Sequence, residues 1–361
     1  MELQKFINDN EDYIFKFKEN KMQVKKYTKL GLVLVKTYSN NEYDYENNPW
    51  MRYCRGSIIN METNRVVCVP PIKSVKRQDI NLDGYDDTFV FEPLIDGTMI
   101  NMFYHKEQWM LSTRSSIGAK NSWDEKIKFC ELFENINGTE WYSNLNKEKS
   151  YSFVLQHRKN RIVSQIMDDN IFLVEVHDMK GDIRRLEQKE FDNLSDFGIG
   201  SNILMVKENA IHYFNPDLPY SIKGFTIKRG TSRIKWINPN YDYVCELKSN
   251  FNNKFLSYIK LRQEWKLSEY LKYFPEERNN YNLYRERYNI IKNKLYDAYI
   301  NVNINKSIKL NEVDFPLRPL VYEIHGYYLK TKHKINMSYI NDYMQGLPGK
   351  KVLFIHNRMF N

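Results

Sequence analysis

Apolar residues fall in short runs bounded by turn residues over most of the chain, and at helical intervals toward its C-terminal end. Residues 1–50 are rich in Asn and Tyr and carry one apolar run, Leu30 to Val35, which fits an opening α/β subdomain. From Arg55 to about Leu247 the pattern predicts strands at Gly56–Asn60, Val66–Val69, Thr88–Phe91, Met99–Tyr104, Trp109–Thr113, Ser152–Gln156, Phe172–His177 and Phe225–Lys228. Lys180-Gly181-Asp182 reads as a turn between two of them. Ser122 and Glu125 have the spacing of a capping box, and Ile127, Leu132 and Phe133 continue it into a helix through 134.

After about residue 250 the period changes. Phe255, Ile259, Trp265, Leu267 and Leu271 recur at helical spacing, and so do Leu283, Tyr288, Ile291, Leu295 and Tyr299. Segments Tyr322 to Leu329 and Met337 to Met344 follow, with Pro275, Pro316, Pro319 and Pro348 as punctuation. The aromatic stripe is expected to form a core first and base-stacking platforms second. The expected fold class is α+β: an antiparallel-sheet domain over 1–250, then a basic, mostly helical domain over 251–361.

Charge sharpens this division. Residues 1–250 hold 35 Lys+Arg against 35 Asp+Glu, while 251–361 hold 19 against 10, so the +9 net charge (54 − 45) lies in the last 111 residues. A basic appendage of this kind suits a polyanionic partner, though a merely soluble helical domain would show the same balance. No apolar run is long enough to span a bilayer, and the first residues lack the pattern of a secretory signal. Four cysteines without a CxxC pair fit reduced thiols better than a zinc site or disulfides. A cytoplasmic setting is therefore expected. The abundance of Asn, Ile, Lys and Tyr also fits an AT-rich genome, such as that of a large DNA virus or phage.

Four segments carry candidate chemistry. The first is Arg52-Tyr-Cys-Arg55-Gly56, with Val69-Pro-Pro-Ile-Lys73 after it, read as a hairpin that brings Arg55 near Lys73. The second is Leu94-Ile-Asp96-Gly97-Thr98, followed by Thr113-Arg114. The third, Phe153 to Val163, includes His157 and ends Asn160-Arg161-Ile-Val163. The fourth is Ile222-Lys223-Gly224-Phe-Thr-Ile227, then Arg233-Ile-Lys235. Singly, such dipeptides as Asp-Gly and Lys-Gly are most often turns.

Their order resembles the single-strand RNA ligases of the bacteriophage type, in the covalent nucleotidyltransferase superfamily, over about residues 50 to 247. Cys54-Arg55-Gly56 and the following Pro-x-x-Lys resemble the family's upstream segment. Leu94-Ile-Asp96-Gly97 resembles motif I, Lys-x-Asp-Gly. Asn160-Arg161-Ile-Val163 is similar to the motif IIIa region, Phe172 to Val176 to the strand after it, and Lys223-Gly224-Phe and Arg233-Ile-Lys235 to motifs IV and V. In that family a lysine attacks the α-phosphate of ATP, and the AMP then passes to an RNA 5′-phosphate.

The resemblance puts Leu94 at the nucleophile, Val154 at the motif III acid and Lys223 at the motif IV acid. Leucine cannot form a phosphoramidate in any protonation state. What remains is cationic: Arg55, Lys73, Arg114, Arg161, Lys223, Lys228, Arg229, Arg233 and Lys235 are expected to line a cleft. Loss of carboxylates and gain of lysine favours phosphate over divalent metal. The resemblance thus implies an RNA-ligase-like protein that has lost lysyl-AMP formation, a pseudo-ligase. Its nucleotide- and phosphate-binding residues would be Arg55, Lys73, Asp96, Arg114, Arg161, Lys223, Arg233 and Lys235, with no metal ligands assigned. The alternatives are an active ATP-dependent ligase using a relocated nucleophile, Lys73 being the candidate, and a non-enzymatic scaffold. ATP is the implied cofactor, with Mg if the chain is active, and single-stranded RNA or RNA ends the implied partner.

Overall fold

The computed structural model describes residues 1–38, 40–122, 127–201, 204–249 and 253–360. The chain forms two compact units, Met1–Tyr243 and Val244–Asn361. Antiparallel sheets dominate the first and helices the second, and the fold class is α+β.

In the first unit, helices α1 (Glu2–Asn8) and α2 (Tyr13–Glu19) precede strands β1 (Gln23–Tyr27), β2 (Leu32–Lys36), β3 (Arg55–Asn60) and β4 (Arg65–Cys68). These four strands make one antiparallel sheet in sequence order. The unbroken apolar run of β2 has a simple cause. Val33 and Val35 pack with Leu3, Ile7 and Phe17 of the two helices, while Leu32 and Leu34 pack with Phe103 and Ile117 on the opposite face. A strand covered on both sides has no polar face to alternate with.

After β5 (Val75–Lys76) and β6 (Val90–Pro93) come β7 (Thr98–His105), β8 (Gln108–Thr113) and β9 (Ser116–Ile117), helix α3 (Phe129–Asn137), and strands β10 (Lys149–Gln156), β11 (Asn170–Asp178), β12 (Arg184–Arg185) and β13 (Gly200–Ser201). Helix α4 (Lys207–Ala210) leads to the hairpin of β14 (Gly224–Arg229) and β15 (Ser232–Ile237) and then to helix α5 (Pro239–Lys248). The second sheet runs β12-β11-β10-β7-β8-β9, with β13 parallel beside β11; the third runs β5-β15-β14-β6, with β5 parallel to β15. Along β10, Tyr151, Phe153 and Leu155 enter the core under α3, where Phe129, Leu132 and Phe133 meet them. Ser150, Ser152 and Val154 alternate to the other face, so the second sheet has one greasy and one mostly polar side.

The strands read from sequence are present, with the one expected at Thr88–Phe91 displaced to Val90–Pro93. The expected helix through 134 runs Phe129–Asn137 instead, capped by Lys128 and Glu131. The Ser122–Glu125 capping box cannot be placed, because Glu125 lies outside the described residues.

The second unit holds α6 (Lys254–Gln263), α7 (Leu267–Tyr273), α8 (Arg278–Tyr299), α9 (Arg318–Thr331), α10 (Met337–Gly346) and α11 (Gly349–Phe360). Tyr288, Ile291, Leu295 and Tyr299 form the buried stripe of α8, as expected. Trp265 does not join the core: it stands between α6 and α7 in a left-handed conformation, φ +60°, and is 84% exposed. Leu283, Tyr322 and Leu329 are exposed as well, and Leu320, Val321 and Ile324 carry the buried face of α9 in their place. Among the described residues no helix is long and apolar enough to cross a membrane. The four cysteines form no disulfide.

Candidate phosphate-binding site

The loop Leu94–Gly97 between β6 and β7 is held from three sides. The Leu94 N–H donates to the Gly224 carbonyl at 2.8 Å, which ties it to the start of β14. Gln156 Nε2 donates to the Asp96 carbonyl at 2.8 Å. The Asp96 carboxylate is buried; its Oδ2 accepts the Val163 and Ser164 amides at 3.0 and 2.9 Å. Its Oδ1 accepts the Tyr241 hydroxyl and faces Lys223 Nζ at 3.4 Å. Burial alone would raise this carboxyl, but Lys223, Tyr241 and the two amides outweigh it and hold the group below its ordinary range.

Gly97 is required by packing. A Cβ there would lie 2.5 Å from the Leu155 carbonyl oxygen and 2.6 Å from Val154 Cγ1. The strand that carries Val154 therefore touches the loop through a gap that only hydrogen fills. Gly97→Ala is expected to cost about 1–3 kcal/mol, as overpacking does. Thermal melting of the variant checks this, and an unchanged midpoint would contradict the packing argument.

Arg55 opens β3, and the residue after it explains where its side chain meets others. Gly56 has φ +105°, and a Cβ there would sit 2.7 Å from the Arg114 Cα. Glycine lets the turn after β8 approach the first sheet, which brings Arg114 beside Arg55. Arg114 Nη2 donates to the Thr37 carbonyl at 3.0 Å, while its buried Nε has no partner among the described residues. The Lys73 N–H donates to the Arg52 carbonyl at 3.0 Å, and this closes the predicted hairpin and brings Lys73 within the field of Arg55 and Arg114. Lys235 and Arg233 lie two apart on β15 and share a face.

These cations act on one another. Burial first, then Arg114 and Arg233, push the Arg55 guanidinium down to about 10. Burial first, then Arg55, Lys223, Lys73 and Lys76, push the Lys235 ammonium down to about 8. Lys73 is lowered by burial, Arg55 and Arg114. Lys76 and Lys223 have carboxylate partners, Asp242 and Asp96. Among the described residues Arg55, Lys73, Arg114, Arg233 and Lys235 form no ion pair. Half-buried cations gathered within one another's field repel, and an anion placed among them would relieve that repulsion.

Other expected members stand elsewhere. Arg161 lies on the turn that receives Asp96, with Nε donating to the Val163 carbonyl at 3.1 Å. Lys228 is no cleft residue: it is 2% exposed and pairs with Glu92 at 2.7 Å and Glu175 at 3.4 Å. Arg229 lies over the Phe89 ring. His157 ends β10 as a cap, its Nδ1 accepting the Lys159 amide at 3.0 Å. Tyr241 and the Val163–Ser164 amides, which anchor Asp96, carry no sequence signal. Glu175 does carry one, since it is a lone charge inside the apolar strand run Ile171 to Val176.

The donor set does not suit a divalent metal. Both Asp96 oxygens are committed, position 154 is valine and position 223 is lysine. Among the described residues no cluster of three His, Cys, Asp or Glu side chains could hold an ion.

No family model matches the chain. It is 29% identical over 164 residues to a protein of Autographa californica nuclear polyhedrosis virus described as a bifunctional polynucleotide kinase/RNA ligase. That alignment takes in 40% of this chain and only 23% of the viral protein. An archaeal ATP-dependent RNA ligase superposes with a TM-score of 0.47 at 9% identity, over 76% of this chain and 70% of the other. An ATP-dependent DNA ligase from Aquifex aeolicus gives 0.45 at 12%, over 77% and 72%. A Naegleria gruberi RNA ligase gives 0.34 at 12%, over 47% and 57%. In sequence, this chain is thus similar over 40% of its length to one viral protein described as a polynucleotide kinase/RNA ligase, and it spans about a quarter of that protein.

Proposed function

We propose that the chain is a pseudo-ligase: it holds a nucleotide polyphosphate and RNA in the cation cluster and forms no lysyl-AMP. ATP is the nucleotide that the ligase likeness suggests, and a single-stranded RNA or RNA end the polymer. One observation carries the reading: Arg55, Lys73, Arg114, Arg233 and Lys235 act on one another and form no ion pair among the described residues, and Lys235 is pushed down to about 8 by burial and by that convergence. Phosphates supply the compensating charge and can accept from several guanidinium and ammonium groups at once. Leu94 at the position of the attacking lysine removes the covalent step, and Val154 and Lys223 remove two acids that the reaction would use.

Binding at this cluster has a proton signature. A polyphosphate stabilises the Lys235 ammonium, so its pKa rises from about 8 on binding. At pH 8 the free protein holds this group about half protonated, and binding should take up to about half a proton. Above that pH the ammonium is lost and affinity falls; below pH 7 the uptake vanishes. Calorimetric titration with ATP in buffers of different ionisation enthalpy measures the uptake. Binding with no proton uptake at pH 8 would remove Lys235 from the contact, and no binding at low salt would remove the proposal.

A further inference from the structure

A pocket opens beside the cluster and shares Arg233 with it. It has a volume of about 380 Å³, at the small end of ligand pockets, and Tyr53, His177, Arg185, Thr231, Ser232 and Arg233 are among its walls. The side chains come from three parts of the first unit: the segment before β3, the β11–β12 edge of the second sheet, and the tip of the β14–β15 hairpin.

Three features set it apart from a surface dent. His177 is 3% exposed, yet its Nδ1 has no hydrogen-bond partner among the described residues. Its Nε2 lies 3.9 Å from Glu175, too long for a hydrogen bond. The Arg233 Nε is likewise buried and unpartnered, and among the described residues no carboxylate lies within ion-pair distance of Arg185 or Arg233, although both act on Glu175 from farther off; neighbouring Arg184 pairs with Glu190 at 2.9 Å. Glu175 is the pocket's buried acid, and Lys228 neutralises it from behind. A buried imidazole nitrogen left empty is costly unless something fills it.

We propose that this pocket is a second phosphate site, which takes the phosphomonoester of one nucleotide unit on Arg185, Arg233 and His177. Two guanidinium groups from different strands, with the Thr231 and Ser232 hydroxyls beside them, offer donors in several directions. That array matches the tetrahedral acceptors of a phosphate better than the planar pair of a carboxylate. Tyr53 and Ile72 give the attached sugar or base an apolar wall. Arg233 belongs to both places, because it also acts on Arg55, so a phosphate here would stand next in line to one held by the cluster. The site does not depend on the cluster binding ATP.

The phosphate could come from a free mononucleotide or from the 5′ end of an RNA strand. Ring 1H–15N spectra of His177, assigned with His177→Gln, follow titration with inorganic phosphate, with AMP, and with a short oligoribonucleotide bearing either a 5′-phosphate or a 5′-hydroxyl. Saturable movement of the His177 signals with phosphate and AMP is expected, and Arg185→Ala should weaken it about tenfold or more, as loss of one charged hydrogen-bonding group does. Arg158→Ala, a surface arginine paired with Asp169 and outside the pocket's walls, should leave it unchanged. A response to the 5′-phosphorylated strand, with none to the 5′-hydroxyl strand, assigns the site to RNA ends; a response to AMP without either strand assigns it to mononucleotides. Still signals at millimolar phosphate and AMP, or equal movement in Arg185→Ala, would overturn the proposal. If Arg185→Ala does not fold, Thr231→Val on the exposed hairpin tip carries the same comparison. Calorimetry with ATP on the Arg185 variant keeps the two sites apart, because the cluster should bind ATP with or without Arg185.

Discussion

Replacing Lys228 with methionine is expected to destabilise the first unit by roughly 3–5 kcal/mol, the usual cost of removing one partner from a buried ion pair. Lys228 joins the second and third sheets by bridging Glu175 on β11 and Glu92 on β6. Burial pushes the Glu175 carboxyl up, but Lys228, then His177, Arg233 and Arg185, outweigh it and hold it at about 2. Methionine fills the same space and leaves the two carboxylates without the ammonium that separates them. For a domain of this size the loss should lower the melting temperature by roughly 10 °C. The deficit has a predicted pH dependence. In the variant Glu175 loses the strongest influence that lowers it, and burial raises it above its unfolded value, so the lost stability returns as pH falls and this group takes up a proton. Melting curves of both proteins between pH 5 and 8 test this. A deficit that grows toward acid would contradict the triad as the cause.

Arg55→Met should have the opposite effect on the free protein. Arg55 has no ion-pair partner among the described residues, and burial together with Arg114 and Arg233 already lowers it to about 10. Removing that charge while keeping most of its volume relieves repulsion on Lys73 and Lys235. The melting temperature of the free variant is expected to stay level or rise. ATP affinity should fall by about 10- to 150-fold, the equivalent of about 1.5–3 kcal/mol for a charged hydrogen bond. This pairing of gained stability with lost affinity marks a residue held in place for a ligand. Calorimetry and melting on the same preparation measure both. A variant that is less stable and binds ATP as before would make Arg55 a structural residue.

Period and punctuation made most of the first unit legible. The run Leu30 to Val35 and the alternation in 152–156 gave β2 and β10 to within a few residues, because each strand buries at least one face. The Asp96–Gly97 pair was legible as a turn, but the burial of its acid was not. Gly97 excludes a Cβ against Leu155, and Asp96 takes two amides from residues 67 and 68 positions away. Those long-range partners, and Tyr241, could not be read locally. Trp265 shows the converse limit. Its spacing matched a helical stripe, but the chain turns there through a left-handed residue with neither Gly nor Pro to announce it. Lys228 and Lys235 illustrate the same difficulty for charge. Both are lysines in the β14–β15 hairpin; one is locked between carboxylates, while the other stands among cations. Which sheet faces a strand decides that, and a single sequence does not carry it.

The central claim is that the cation cluster holds a nucleotide without bonding to it. Retention of α-labelled ATP, with Mg present, before and after denaturation of one sample tests it most directly. The account predicts label bound to the native protein and none left after denaturation. Label that survives denaturation, and is lost in Lys73→Ala or Lys235→Ala, would show a relocated nucleophile and an active ligase-type enzyme.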